Sequence, residues 1–109
     1  MPNLPSPLAS LPLAPHAAAL REGLIDVHAQ IDAALERIDR FDARVRAFLP
    51  EPGRRDRVHA AATALLQRHP DPAARPPLFG VLVGVKDIFA VDGLPTRAGS
   101  ALPEEAFAL

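Results

Sequence analysis

The chain has 109 residues, 49% of them hydrophobic, which is enough for one modest domain and no more. Its 12 basic and 13 acidic residues nearly cancel, to a formal net charge of −1, and like charges form no block, so neither nucleic acid nor an anionic membrane is an expected partner. The chain contains no cysteine, which excludes disulfides, thiol nucleophiles and thiolate metal sites and is typical of a cytoplasmic protein.

Residues 1–15 predict a disordered tail, because prolines remove backbone donors and disfavour both helix interiors and sheet ladders. The tail lacks the basic start and continuous apolar core of a signal peptide, and no apolar stretch of the chain is long enough to span a bilayer. Residues 16–109 are expected to belong to one domain, although the modest apolar volume of an alanine-rich chain makes a self-sufficient core an unfavourable expectation. The prolines of the tail are Pro2, Pro5, Pro7, Pro12 and Pro15.

Three helices are predicted in the first two thirds of the chain. The first covers residues 16–22 and stops at Gly23, which can adopt the left-handed conformation of a helix end. The second begins after Asp26, a good N-cap residue, and carries an apolar stripe at three- and four-residue steps. The third covers Arg54–Arg68 and ends before Pro70. The stripe of the second helix consists of Val27, Ile31, Ala34 or Leu35, Ile38 and Phe41, with Gln30 placed off it.

Two connecting segments are predicted around the third helix. Residues 45–49 are closed by Pro50 and Pro52, so we expect them to run extended across the surface. Residues 71–77 form a proline-rich linker that leads into an apolar run.

That apolar run, residues 81–89, contains Lys86, the only lysine of the chain. The other basic residues are arginines, which stay protonated, whereas a lysine in an apolar site can lose its proton and act as a base. The run has the length and β-branched content of a buried strand. Alternation places Lys86 on the same strand face as Leu82 and Ile88, so we expect it to point inward. The alternative is a lysine that reaches water or pairs with a carboxylate.

The lysine run and the turn that follows it resemble the N-terminal conserved block of the amidase signature family, serine hydrolases that cleave amide C–N bonds. The resemblance departs from the family pattern at Phe79, where histidine is common, and we expect altered packing there. It extends less specifically to residues 20–49, which resemble the helical start of many amidases. The matching residues are Gly80, Gly84, Val85, Lys86, Asp87, Gly93, Leu94, Pro95, Thr96, Ala98, Gly99 and Ser100.

The resemblance implies an α/β fold, in which residues 16–109 are the N-terminal portion of a mixed-sheet amidase domain. Helices would precede strands, and the unit would be incomplete on its own. It further implies that Lys86 is the general base of a Ser, cis-Ser, Lys triad acting on a small-molecule amide, with no cofactor. The family's two catalytic serines lie further downstream than residue 109, so the chain is expected to be an inactive fragment of the hydrolase.

Two alternatives remain open beside this hypothesis. The chain could be a non-catalytic helical interaction module, or an inactive remnant of an amidase. None of its own serines, Ser6, Ser10 and Ser100, is a candidate nucleophile, since the first two lie in the tail and Ser100 matches a non-catalytic turn of the family.

The remaining candidate residues predict structural roles. The four histidines have no metal-ligand spacing, so each is expected on a helix surface or at a helix end, and no metal site is predicted. Asp87 would lie on the strand face opposite Lys86 and is expected to make structural hydrogen bonds. Asp92 and Gly93 predict a tight turn after the strand, and Pro95 disfavours a regular returning strand. The histidines are His16, His28, His59 and His69.

Overall fold

A computed structural model describes residues 12–107 of the protein, and its main elements are three helices. Helix α1 covers Leu13–Arg21, α2 covers Val27–Val45 and α3 covers Arg54–Arg68. Single turns of 3₁₀-helix cover Pro72–Ala74 and Glu104–Phe107. Within residues 12–107 there is no helix with the length and hydropathy of a membrane span.

Helix α1 begins earlier than the sequence predicts, and it ends close to the predicted position. Its first residue is Leu13, inside the range predicted as tail, and it accommodates Pro15 because the first N–H groups of a helix have no partner within the helix. It stops at Gly23, whose φ is +77° and whose neighbour Leu24 donates its N–H to Ala19 O at 2.9 Å. The predicted glycine stop is confirmed, while residues 1–11 lie outside the described residues.

Helix α2 has the predicted N-cap, since the carboxylate of Asp26 accepts the N–H of Ala29 at 2.8 Å. Its apolar stripe is buried over the first half of the helix and exposed further on, where Phe41 lies. The stripe residues that are buried are Val27, Ile31 and Leu35.

The prediction of an extended segment over residues 45–49 is wrong at its start. Val45 is the last residue of α2, and Arg46 follows it in the left-handed conformation, with φ of 50°. The cause is Asp42, whose Oδ1 accepts the N–H of Ala47 at 2.7 Å and that of Phe48 at 3.1 Å. A side chain that binds two N–H groups beyond the helix end bends the chain into a turn.

Helix α3 has the predicted bounds and packs against α2. Its buried residue is Ala62, whose small side chain lets the two helices approach closely. Around the core lies a rim of half-buried apolar residues, to which α3 contributes three: Val58, Leu65 and Leu66. The core itself consists of Leu20, Val27, Ile31, Leu35, Ala62 and Phe79.

Phe79 is the largest fully buried side chain and ties the chain after α3 to the helices. The guanidinium of Arg75 lies over its ring at 4.4 Å. The same group donates to His69 O at 3.0 Å and to Arg21 O at 3.1 Å, which are carbonyls at the ends of α3 and α1. A cation is favoured at the C-terminus of a helix, and the single guanidinium of Arg75 contacts the C-terminal ends of both α1 and α3.

The predicted strand is not formed: the described residues contain no strand, only an isolated antiparallel bridge between Val91 and Leu94. A strand needs a neighbour to pair its backbone groups, and within residues 12–107 no second strand is formed that could pair with residues 81–89. Of the α/β fold, the helical part is therefore observed. The predicted turn is confirmed, because Gly93 has φ of +82° and Leu94 N donates to Val91 O at 3.1 Å.

Candidate active-site lysine

Lys86 lies at the centre of the segment that leaves the helices, residues 81–91, which we call the lysine segment. Its side chain is exposed and, among the described residues, takes part in no hydrogen bond or ion pair. The inward orientation predicted from strand alternation is therefore wrong for this structure. The reason is that the helices cover the segment only at Val81, and side chains beyond it, such as Val83 and Val85, face outward.

The start of the lysine segment is anchored by Gln30 of α2, a residue that the sequence analysis placed off the apolar stripe. Gln30 is 1% exposed, and its Nε2 donates to Gly80 O at 2.8 Å. The three-residue step from Val27 to Gln30 is the signal that could have placed this side chain at the edge of the buried face.

Position 80 requires glycine at its contact with α2, both because of its backbone conformation and because Val27 lies close to it. Its φ is +75°, which favours glycine, and a Cβ at this position would lie 3.0 Å from Cγ2 of Val27. The backbone of the chain thus comes close enough to α2 for the Gln30 amide to reach it.

The other end of the Gln30 amide connects to α1. Because Nε2 of Gln30 donates to the carbonyl of Gly80, Oε1 is the atom that faces Nε2 of His16, and it accepts a hydrogen bond from that nitrogen. The Nδ1 atom of His16 is buried and has no hydrogen-bond partner in the described structure. One amide therefore joins α1, α2 and the start of the lysine segment.

The chain immediately after Lys86 is anchored by Asp87. Both carboxylate oxygens of Asp87 accept the N–H of Arg97 at 3.1 Å, and its main-chain oxygen accepts the N–H of Ala98 at 2.9 Å. These bonds agree with the structural role expected for Asp87. They close the loop that contains the Asp92–Gly93 turn and fix the residue next to the lysine.

Ser100 belongs to the turn that follows this loop. Its Oγ accepts the N–H of Leu102 at 3.0 Å, and its own N–H donates to Arg97 O at 2.8 Å. Ala98 and Gly99 before it both have positive φ, of 50° and 69°. Ser100 thus supports a tight turn, while Ser6 and Ser10 lie outside the described residues.

A second polar cluster joins α2 to α3, and sequence analysis missed it. Nδ1 of His28 and Nδ1 of His59 are 2.6 Å apart, the ring centres are 4.9 Å apart, and the ring planes differ by 10°. The distance between the ring centres exceeds the distance between the two Nδ1 atoms by about the width of one imidazole ring. Both Nδ1 atoms therefore lie on the line that joins the ring centres. The rings meet edge to edge and share one proton.

The direction of this hydrogen-bond chain follows from Asp32. Its oxygen accepts from Arg55 and contacts His59 Nε2, each at 2.8 Å, and the hydrogen bond with His59 is the main cause that lowers the pKa of Asp32. Because the ionised carboxylate can only accept, His59 donates to it through Nε2. When both imidazoles are neutral, Nδ1 of His59 accepts from His28, and Nε2 of His28 accepts from Thr63 at 3.4 Å. Among the described residues, no group of three or more potential ligands is arranged to hold a metal ion.

Comparison with known proteins finds a deaminase and subunits of an amidotransferase among the relatives. The chain is 42% identical over 99 residues to 2-amino-5-chloromuconic acid deaminase of Comamonas testosteroni, a match that covers 88% of this chain and 21% of the relative. It is 43% identical over 74 residues to a glutamyl-tRNA(Gln) amidotransferase subunit of Anaeromyxobacter sp. (strain K), covering 68% and 15% of the two chains. The same subunit of Chloroflexus aurantiacus is 36% identical over 85 residues, covering 78% and 17%.

The matches cover most of this chain but only a small part of each relative, so the chain spans about a fifth of their length or less. No family model matches the sequence, and no solved structure matches it significantly. The similarity nevertheless covers both the helices and the lysine block. It confirms the resemblance to the amidase signature family, and the chain is similar to part of these enzymes.

Proposed function

We propose that this chain supplies the base lysine of an enzyme that hydrolyses an amide C–N bond. The observation that carries the proposal is the Val85-Lys86-Asp87 block, whose aspartate is held by three hydrogen bonds while the amine of Lys86 is left exposed. The names of the relatives, a deaminase and an amidotransferase component, support chemistry at a bond to nitrogen.

The proposed mechanism uses two serines, which in the family lie beyond the residues of this chain. The hydroxyl oxygen of one serine attacks the amide carbonyl, and its proton passes through the bridging cis-serine to the neutral amine of Lys86. The C–N bond then breaks as protonated Lys86 returns the proton, through the bridging serine, to the leaving nitrogen, and an acyl-serine ester remains. Water hydrolyses this ester and restores the serine.

A second part of the proposal is that the lysine segment becomes a strand of a mixed sheet in the complete enzyme. Its apolar side chains support this, since Val83, Val85 and Phe89 are more than half exposed in the described structure. Pairing with further strands would satisfy the backbone groups of the segment and enclose Lys86 among apolar neighbours. Such surroundings favour the neutral amine that a base requires.

The test replaces the lysine in a polypeptide that includes both serines. Lys86→Arg and Lys86→Ala should each reduce the rate of acylation by at least about 10²-fold, because arginine keeps its proton and alanine cannot bind one. Acylation is measured under single-turnover conditions across pH, after circular dichroism has confirmed folding.

Arg68→Lys is the matched control, because it exchanges the same two residue types at the exposed end of α3 and should leave acylation unchanged. Near-normal acylation by Lys86→Arg would show that the lysine is not the base.

A further inference from the structure

We infer that Gln30 is a positioning residue for Lys86, acting through the backbone of Gly80. The inference rests on the proposed function, because it concerns the geometry of the same lysine. It assigns a role in the active site to a side chain of α2 that lies far from Lys86 in sequence.

The first step of the inference is that the peptide unit joining Gly80 and Val81 is held at both of its polar ends. Its carbonyl accepts from Nε2 of Gln30 at 2.8 Å, and its N–H donates to Leu78 O at 3.1 Å. A planar peptide unit with both groups bound has a fixed orientation. The direction in which the chain leaves the helices toward Lys86 is therefore set at this point.

The second step is that the lysine segment has few other constraints before Asp87. Val81 is half-buried against the core, but Leu82, Val83 and Val85 are exposed. Among the described residues, the position of Lys86 therefore depends on two anchors, the Gly80–Val81 peptide unit before it and the hydrogen bonds of Asp87 after it.

The third step is that the site requires the amide of glutamine. The side chain must donate to Gly80 O on one side and accept from His16 Nε2 on the other, and it is buried while doing so. An ionised carboxylate would present an acceptor to the carbonyl of Gly80, and an apolar side chain would leave both partners unsatisfied. Among the residues the structure describes, Gln30 is the buried polar side chain of the core.

The experiment uses the full-length protein with two substitutions. Gln30→Met preserves the length of the side chain and removes both hydrogen bonds, and Gln30→Glu keeps the acceptor for His16 but loses the donor for Gly80. We expect kcat to fall on the order of 10- to 100-fold in both variants, with KM changed by no more than about twofold.

Val58→Ala is the matched control, since it removes apolar volume from the same core on the α3 side and does not touch the lysine segment. It should destabilise the protein while leaving kcat near that of the wild type. An equal loss of kcat in Val58→Ala and Gln30→Met would overturn the inference, because the effect would then follow from stability alone.

A pH profile separates positioning from packing. At low pH the carboxyl introduced by Gln30→Glu binds a proton and can again donate to Gly80 O, so the ratio of its kcat to that of the wild type should rise as pH falls. A ratio that stays constant with pH would contradict the inference. This variant also provides the test if Gln30→Met does not fold.

A last readout does not depend on activity. Amide hydrogen exchange over residues 81–87 should be faster in Gln30→Met than in the wild type, with exchange over Arg54–Arg68 unchanged. If Lys86→Ala proves fully active, the proposed function fails, and the exchange data still show whether Gln30 anchors the segment. Unchanged exchange over residues 81–87 would show that it does not.

Discussion

The helical region and the lysine segment are both rich in apolar residues, yet the lysine segment packs against the core only at Val81. Ile31 of α2 is 1% exposed, whereas Val83 of the lysine segment is 75% exposed. A helix satisfies its backbone groups within itself, so α2 can form first and then bury one face. A strand depends on a partner that is distant in the chain. The contrast shows that apolar composition predicts burial only where the backbone N–H and C=O groups find hydrogen-bond partners within the same segment.

The strongest test of this contrast compares two phenylalanines. Phe79→Ala should reduce the free energy of unfolding by about 3–5 kcal/mol, because it empties the centre of the core. Phe89→Ala removes the same group from an exposed position in the lysine segment and should change stability by less than about 0.5 kcal/mol. Urea denaturation followed by circular dichroism measures both, and equal losses would show that the lysine segment is packed.

A second test compares two glycines at the junction of the regions. Gly80→Ala should destabilise the protein by about 1–3 kcal/mol, because φ is +75° and the new Cβ would lie 3.0 Å from Val27. For Gly84→Ala we expect a change within about 0.5 kcal/mol, since no described atom lies within 4 Å of the new Cβ. Thermal denaturation of the two variants distinguishes them, and a larger loss at Gly84 would contradict the described course of the segment.

The smallest expected effect concerns pH and the helical region alone. The hydrogen bond from His59 lowers the pKa of Asp32 below its ordinary value, with Arg55 adding to the effect. The stability from this ionised carboxylate is therefore fully present above about pH 4 and is lost as pH falls through the lowered pKa. Asp32→Asn should be slightly less stable near neutrality and lose less stability on acidification. Identical pH dependence of the two melting temperatures would exclude a contribution from Asp32.

The sequence was sufficient to predict the features that depend on near neighbours. The N-cap at Asp26, the stop at Gly23 and the bounds of α3 each follow from a few adjacent residues, and all three are confirmed. The start of α1 and the turn after Asp42 were missed because proline at a helix start and a side-chain cap at a helix end outweigh average propensity.

The features that depend on distant residues were predicted poorly. The contact between His28 and His59 requires the relative placement of α2 and α3, which the spacing within either helix does not contain. The strand around Lys86 was predicted from its own composition, although the partner that would form it is not among the described residues. The catalytic role of Lys86 comes from the family resemblance and remains a prediction.

The contacts of Arg75 have a consequence for the order of folding. Its guanidinium binds carbonyls at the ends of α1 and α3, and both acceptors are in position together only when the two helices have formed and packed. We therefore expect the contact with Arg21 O to form late, after the rate-limiting barrier. We expect Arg75→Met to accelerate unfolding in stopped-flow experiments and to leave the refolding rate almost unchanged, whereas slower refolding would place this contact in the folding nucleus.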